Sequence, residues 1–487
     1  MRDLTGTVRL TRLAVRRDRV RLLVWAVAVP GVAGAVTRSV AGLYTTEQDR
    51  IGYATTAAAS VISRAVNGPA FGPSLGAVAT VEMSTGLAVL VALLSTFTVV
   101  RHTRQNEETG RAELLGSAVV GRHAPLSAAL LVTAGANLLS GLLLALVLGV
   151  AGGLPWAGAA VFAASIAGVG VAFAAVAAVA AQVSATARGA NGVAAATVGV
   201  AFLLRAAGDA CGDISADGMR VVSAWPSWLS PLGWANQVRP FDENRWWVLA
   251  LTVGFTAVAV EVAFLLTTRR DFGGGLLAAR RGPATAGPGL LGPVGLAWRL
   301  QRGALVGWAA GIAVMGLVMG AAGTEVEGLA GENEQVADLI ARLGGADRLA
   351  DAFLGAMIAM FALAVAGYAT QAVLRLHGEE STGRLDGVLA TAVGRPRWML
   401  SHLLCAGLGT VGLLALAGAS IGLGYGLAAD DVAYHLNRMT VAGLVQAPAV
   451  LVLAGLVVLL FGLLPRWSVA LAWSALLVCV LFGQLGT

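Results

Sequence analysis

The sequence predicts an all-α polytopic integral membrane protein with about 11 to 12 transmembrane helices. We expect these helices to form two tandem six-helix repeats, of which the second lacks its last helix. Three observations support this fold class: the length of the apolar segments, the distribution of the arginines, and a loop motif that occurs twice.

The apolar segments are long enough to cross a bilayer. Hydrophobic residues make up 57% of the 487 positions and charged residues only 12%, whereas a soluble domain is roughly half apolar and a quarter charged. A helix needs about 20 apolar residues to span about 30 Å of hydrocarbon. Runs of this kind are centred near residues 22–37, 79–100, 126–149, 157–182, 190–207, 246–267, 304–322, 352–374, 399–427, 440–464 and 467–485.

The basic residues are distributed as expected for a plasma-membrane protein with a cytoplasmic N-terminus. All 33 lysine-plus-arginine positions are arginine, and 23 of them then fall on the cytoplasmic side, where short loops retain such residues. The opposite loops contain the acids Asp213, Asp217, Asp242, Glu243, Glu325, Glu327, Glu332, Glu334, Asp338, Asp430 and Asp431. The net charge of +6 therefore reflects multi-pass topology in a lipid bilayer and does not indicate a nucleic-acid partner.

Two loops of the chain carry the same motif. Residues 109–122 read TGRAELLGSAVVGR and residues 382–395 read TGRLDGVLATAVGR, without a gap at an offset of 273. We call the segments around them the first repeated loop (101–125) and the second repeated loop (375–398). A duplication of this kind predicts a repeat architecture.

The repeat divides the chain into three parts. The predicted parts are a first repeat at 1–268 with a surface helix and six spans, a cytoplasmic Gly/Pro/Arg linker at 269–298, and a second repeat at 299–487 with five spans. The counterpart of 225–268, including the sixth span, would begin where the sequence stops, so we expect a twelfth helix to be missing.

The chain lacks the residues that common catalytic motifs require. A phosphate-binding loop of the form G-x-x-x-x-G-K-S/T needs a lysine, and this chain has none. The five histidines show neither HExxH nor paired metal-ligand spacing, so no metal site is predicted. We therefore predict that the chain has no catalytic residues and is not an enzyme.

The repeated loops identify a family resemblance. Each loop has two acids, then Thr-Gly-Arg, a short amphipathic helix and Gly-Arg. Together with WLSPLGW and VRPF at 228–241, they resemble the signature of ABC-2 type permeases, in particular the exporters of polyketide antibiotics (tetronasin-type). The span layout is similar over nearly the whole chain, but the specific motifs are confined to these segments.

The resemblance implies how the two loops work. In that family the helix after the second span is a coupling helix that docks onto a separate nucleotide-binding ATPase subunit. The implied coupling residues are Glu107, Glu108, Gly110, Arg111, Glu113 and Arg122 in the first repeated loop, and Glu379, Glu380, Gly383, Arg384, Asp386 and Arg395 in the second. ATP and Mg²⁺ would be bound by that partner, with two copies per chain, and this chain would hold no cofactor.

The second repeated loop departs from the first at two positions. Ser381 stands where the first loop has Glu108, and Gly387 stands where it has Leu114. These differences predict two docking surfaces of unequal strength.

A few polar residues in the predicted spans are candidates for the transport pathway, because carboxylates are costly in hydrocarbon. They are Glu82 and Glu261, with Asn137, Gln182 and Gln371 as polar companions. The alternative is that Glu82 reaches the outer interface and Glu261 the inner one. The outer aromatic segment with Trp225, Trp228 and Trp234 marks the membrane interface or, by the resemblance, a re-entrant hairpin that closes the exit.

These features predict the permease subunit of an ATP-driven exporter of hydrophobic small molecules, such as polyketide antibiotics or other drugs. The alternative is a proton-driven secondary multidrug transporter that uses an intramembrane carboxylate, because parallel six-helix repeats also occur in such carriers.

Overall fold

The computed structural model describes residues 2–271, 273–277, 282, 284–331 and 346–485. Within these residues, ten helices are long and apolar enough to cross a membrane. The predicted all-α polytopic membrane fold is therefore confirmed. The eleventh predicted run forms a helix whose described apolar part, Ser468–Cys479, is shorter than a span. The predicted cytoplasmic Arg280 and Arg281 and the predicted outer acids Glu332, Glu334 and Asp338 lie outside the described residues.

The chain divides into two compact units, residues 1–281 and 282–487. The helices of the first unit are α1 (Thr7–Leu43), α2 (Glu47–Ala59), α3 (Val61–Val66), α4 (Leu75–His102), α5 (Arg104–Glu108), α6 (Arg111–Gly116), α7 (Ala124–Leu146), α8 (Trp156–Val183), α9 (Ala187–Ala210), α10 (Pro231–Gln237) and α11 (Leu249–Thr268). A small antiparallel hairpin pairs β1 (Asp213–Ile214) with β2 (Val221–Val222).

The core of the first unit surrounds α4. This helix packs against α1, α7, α8 and α9, and its neighbours contribute buried Trp25, Leu144, Phe162 and Phe173. Ser74 ends the preceding loop, because its side-chain oxygen accepts a hydrogen bond from the Ala77 N–H at the start of α4. Helix α4 therefore begins at a capped turn and ends at the first repeated loop.

Helix α1 joins two segments that were predicted separately. The arginine-rich surface segment and the first span form one continuous helix, with non-helical dihedral angles only at Asp18 (φ −108°, ψ 16°). The side chain of Asp18 is 2% exposed. The change of direction therefore occurs at a buried acid within the basic segment.

The second unit is also built from helices, and its described residues contain no strand. Its helices are α12 (Pro293–Gly331), α13 (Ala346–Ser381), α14 (Arg384–Leu389), α15 (Arg395–Ala428), α16 (Val432–Val445), α17 (Ala447–Leu463) and α18 (Ser468–Leu485).

Glycines bring the backbones of α12 and α15 together. A Cβ atom at Gly320 would lie 2.1 Å from the carbonyl oxygen of Ile421, and one at Gly424 would lie 2.2 Å from the carbonyl oxygen of Leu317. Small residues allow close approach between membrane helices. Larger side chains at these positions would therefore separate the pair.

Candidate functional site

The two repeated loops have the same backbone course. In the first, α4 and α5 lead into a turn at Gly110 and then into α6; in the second, α13 leads into a turn at Gly383 and then into α14. Gly110 has φ 68° and Gly383 has φ 70°, both in the left-handed region that favours glycine. The repeated Thr-Gly-Arg sequence thus encodes a sharp turn directly before a short helix.

Glu107 of the first loop lies in a network inside the chain. Its carboxylate contacts Arg104 (Nη1–Oε2 2.7 Å) and Arg270 (Nη2–Oε1 2.5 Å), and its side chain is only 10% exposed. Arg104 also donates to the carbonyl oxygen of Ala181, and Arg270 donates to Gln182 Oε1 at 2.5 Å. Glu107 consequently links the end of α4 to the same-side ends of α8 and α11.

Two further residues of the first loop form hydrogen bonds with backbone groups at the ends of other helices. Glu108 Oε1 accepts a hydrogen bond of 2.8 Å from the Ala187 N–H, which begins α9. Arg122 Nη2 donates to the carbonyl oxygen of Thr267, at the end of α11, over 2.8 Å. Terminal N–H and C=O groups have no partner within their own helix, so these contacts stabilise both termini.

The outer surface of α6 carries the remaining first-loop residues. Arg111 and Glu113 are exposed, Leu114 next to them is 77% exposed, and Val119, three residues beyond the end of α6, is 88% exposed. Charged and apolar side chains therefore share one accessible surface, which we call the α6 surface.

The second loop holds its acids differently. Glu379 is 12% exposed and contacts Arg375 at 3.5 Å and Arg384 at 3.8 Å. Glu380, the counterpart of Glu107, is 41% exposed and contacts Arg395 at 3.3 Å. Asp386, the counterpart of Glu113, is exposed.

Each loop covers a cavity of similar size. The first cavity has a volume of about 400 Å³ and its lining includes Glu107, Ala112, Arg122 and Leu126. The second has a volume of about 370 Å³ and its lining includes the residues 273 positions later, namely Glu380, Leu385, Arg395 and Met399. Both units therefore place the same loop positions around a space at the end of the helices.

The N-terminal segment is attached to the first loop, which the sequence did not reveal. The backbone N–H groups of Gly121 and His123 donate to the carbonyl oxygens of Thr5 and Asp3 over 2.9 and 3.0 Å. Further along, Asp18 lies 2.9 Å from His102 Nε2 and 3.0 Å from Arg101 Nη2. Asp18, an acid within an arginine-rich stretch, was the sequence feature that could have indicated these contacts.

The candidate pathway residues fall into two groups. Asn137 is buried and donates to Ser95 Oγ over 3.0 Å, and Gln182 is buried against Arg270.

The other three pathway candidates are exposed. They are Gln371, which accepts from Trp308 Nε1 over 2.9 Å, Glu82, which accepts from the Tyr53 hydroxyl, and Glu261.

The outer aromatic segment packs onto the first unit. Helix α10 is buried against α4, α8 and α9. Trp234 Nε1 donates to the carbonyl oxygen of Trp228 over 2.6 Å, Trp228 stacks on Trp247, and Trp225 is exposed. The segment therefore combines a buried short helix with tryptophans at the surface.

A buried ion pair in α9 was also missed from the sequence. Arg205 Nη1 lies 3.3 Å from Asp209 Oδ2, and both side chains are almost fully buried. Arg205 also donates to the carbonyl oxygens of Ala65 and Val66 at the end of α3. An arginine inside the predicted span 190–207 was the signal that could have found it.

Metal-ligating side chains are not grouped in the part of the chain that the structure describes: no three His, Cys, Asp or Glu residues could hold one ion there.

Known proteins resemble this chain over nearly its whole length. Residues 290–487 match the family described as the C-terminal domain of the multidrug efflux system permease Rv1217c. The chain is 42% identical to the multidrug efflux system permease protein Rv1217c of Mycobacterium tuberculosis over 485 residues, which cover 99% of this chain and 86% of that protein.

Proposed function

Because this chain belongs to the family of multidrug efflux system permeases that includes Rv1217c, we propose that it is the membrane subunit of an ATP-driven drug exporter. It carries hydrophobic small molecules, such as polyketide antibiotics or other drugs, out of the cell. ATP and Mg²⁺ bind to a separate ATPase subunit, and one copy of that subunit docks at each repeated loop, with the loops and N-terminus on the cytoplasmic side.

The α6 surface is the observation that supports docking most directly. Leu114 and Val119 are 77% and 88% exposed in a loop beyond the span, although burying each would gain about 1.5 to 3 kcal/mol. Exposed apolar side chains next to charged ones are typical of a protein interaction site. A partner that covers Leu114 and pairs with Arg111 and Glu113 accounts for this arrangement.

Glu107 supports a route from the docked partner into the membrane. It is bonded to Arg104 and Arg270, so a displacement of the first loop pulls on α8 and α11 as well as α4. Rigid helices joined by such contacts move together between discrete arrangements. ATP binding to the partner then favours one arrangement through its differential affinity for the two states.

Reconstitution with the partner ATPase tests the proposal. The chain and the ATPase would be placed together in liposomes, and drug-stimulated ATP hydrolysis and drug transport would be measured with wild-type chain and with Glu113→Ala combined with Asp386→Ala. We expect the double change to lower both drug-stimulated ATP hydrolysis and drug transport, because the ATPase docks less well, while membrane insertion is unchanged. Normal transport by this variant would contradict docking through the two loops.

The proton-driven alternative is distinguished in the same liposomes. Glu82 is exposed, so a carboxylate that could carry protons is present. We expect transport to continue when an ionophore collapses the proton gradient and to stop when vanadate blocks the ATPase. The reverse pattern would favour the secondary transporter.

A further inference from the structure

Glu82 lies on a narrow exposed stripe of an otherwise buried helix. Glu82, Gly86, Leu90 and Phe97 are the exposed positions of α4 between residues 75 and 100. Their spacing of about four residues places the first three on one face of the helix. The carboxylate therefore stands at one end of an apolar exposed strip.

Glu82 lies in the first part of α4. The residue is seven positions after Leu75, where α4 begins, and at 1.5 Å per residue it lies about 10 Å from that end. Carboxylates within membrane spans are expensive, and they mark functional sites by default. Glu82 meets Tyr53 of α2, a helix outside the predicted spans, so the carboxylate lies toward the interfacial end of α4, where the charged group of a ligand can reach it.

The described surroundings of Glu82 contain aromatic rings but no ionic partner. The Tyr53 hydroxyl donates to Glu82 Oε1, and the rings of Tyr44 and Tyr53 lie 5.0 Å apart at an angle of 59°. Arg50, one turn before Tyr53, donates to the carbonyl oxygens of Tyr44 and Pro73. Among the described residues, neither Arg50 nor any other basic side chain forms an ion pair with Glu82.

The tyrosines are suited to remain neutral beside the carboxylate. Burial and the hydrogen bond to Glu82 raise the pKa of Tyr53, and burial and the charge of Glu82 raise the pKa of Tyr44. Both rings therefore present a neutral aromatic surface, and the Tyr53 hydroxyl occupies one carboxylate oxygen while Oε2 accepts no hydrogen bond from the described residues.

We propose that Glu82, Tyr53 and Tyr44 form a binding site for the positively charged group of an amphiphilic drug. This inference rests on the proposed export of drugs and names a class of substrate for it. The carboxylate supplies the opposite charge, and tyrosine rings attract cations within about 6 Å of their centres. Gly86 and Leu90, about 6 and 12 Å further along α4, then contact the apolar part of the molecule.

The second unit does not repeat this site. At the offset of 273, Gly355 stands in place of Glu82, Ala359 in place of Gly86, and Leu363 in place of Leu90. The corresponding strip is therefore apolar from end to end. The proposal accordingly assigns one cation site to each chain, in the first unit.

Direct binding to the purified full-length chain in lipid nanodiscs tests the site without the ATPase. The probes are ethidium, a lipophilic monocation, and Nile red, a neutral apolar dye, each titrated by fluorescence anisotropy. We expect Glu82→Gln to raise the Kd for ethidium about tenfold or more and the Kd for Nile red less than about twofold. Tyr44→Leu should raise the Kd for ethidium about threefold to fivefold.

Glu261→Gln is the matched control, because Glu261 is also an exposed intramembrane acid but makes no hydrogen bond or ion pair with the described residues. It should change neither Kd. Glu82→Asp keeps the charge and should retain ethidium binding within about threefold. Unchanged ethidium binding by Glu82→Gln would overturn the proposal, and so would equal loss of both dyes in Glu82→Gln and Glu82→Asp, since that pattern indicates a purely structural role.

Export measurements distinguish the proposed cation site from the proposed drug export on which it rests. Ethidium binding that depends on Glu82 in a chain that exports no drug would overturn the exporter and retain the site. ATP-dependent drug export with normal ethidium export by Glu82→Gln would overturn the site and retain the exporter.

Discussion

The first and second repeated loops share one backbone but hold their acids in different environments. Glu107 is almost buried between Arg104 and Arg270, which ties it to the ends of α8 and α11. Its counterpart Glu380 is largely accessible and contacts only Arg395 among the described residues. The duplicated sequence thus specifies the turn, whereas helices elsewhere in each unit determine how firmly the loop is connected.

The largest expected difference between the loops is in stability. Glu107→Ala leaves Arg104 buried without its acid, and breaking a buried pair costs about 3 to 5 kcal/mol. Glu380→Ala removes an exposed pair, which is worth about 0 to 1 kcal/mol. Unfolding of the two purified variants by sodium dodecyl sulfate measures both costs. Similar losses would show that the loops are equally connected.

The next difference concerns the start of each unit. Asp18 lies against Arg101 and His102. The starts of the two units align at an offset of 283, which pairs Trp25 with Trp308 and Asp18 with Gln301. Gln301 donates to the carbonyl oxygen of His402 over 3.1 Å.

Hydrogen bonds to charged groups are worth about 1.5 to 3 kcal/mol and neutral ones about 1 kcal/mol. Asp18→Asn should therefore destabilise the protein by about 2 kcal/mol and Gln301→Ala by about 1 kcal/mol. The same unfolding titration measures this pair, and a larger effect at Gln301 would reverse the expected order.

A third difference between the loops should appear in drug-stimulated ATP hydrolysis and not in the stability of the chain. Leu114→Ala should lower drug-stimulated ATP hydrolysis by the reconstituted complex about tenfold, which corresponds to about 1.4 kcal/mol of lost docking energy. Gly387, its counterpart, has no side chain to lose, so Gly387→Ala should change the rate less than about twofold. Because Leu114 is 77% exposed, its change should leave the unfolding midpoint unaltered. A shifted midpoint would indicate packing within the chain.

The smallest effect should be equal in the two loops. Gly110→Ala and Gly383→Ala each force a side chain into left-handed backbone, at a cost of about 1 kcal/mol. Nothing lies within 4 Å of a Cβ atom at Gly110, and the nearest atom at Gly383 is 3.7 Å away, so strain and not collision sets the cost. Thermal unfolding should give matching shifts, and a marked inequality would show that the two turns are not equivalent.

Sequence patterns were sufficient for the spans but not for the contacts between them. Long apolar runs predict transmembrane helices because their length must match the bilayer, and ten of the eleven predicted runs coincide with such helices. Helices α2 and α3 and the β1–β2 hairpin were not predicted, because short segments outside the predicted spans carry no comparable signal. The coupling roles of the loop residues remain predictions.

The connections of Glu107 illustrate what a sequence pattern leaves out. Arg270 was interpreted only as a topology signal, yet it lies 2.5 Å from Glu107 across 163 positions of sequence. Arginines at the ends of spans look alike in sequence, and only their three-dimensional placement identifies the one that binds an acid. The pair of Arg205 and Asp209 was also missed, because Asp209 lies two residues beyond the predicted span 190–207 and was not considered with it.

The attachment of the N-terminal segment to the first loop has a consequence for biosynthesis. Asp3 is translated 120 residues before its partner His123, a delay of about 6 to 24 s at about 5 to 20 residues per second. During that interval the first span enters the bilayer with no loop to dock against, and its orientation depends on its own arginines. The contacts with Gly121 and His123 then form after the direction of this helix across the membrane has been set. They can therefore stabilise its orientation but cannot determine it.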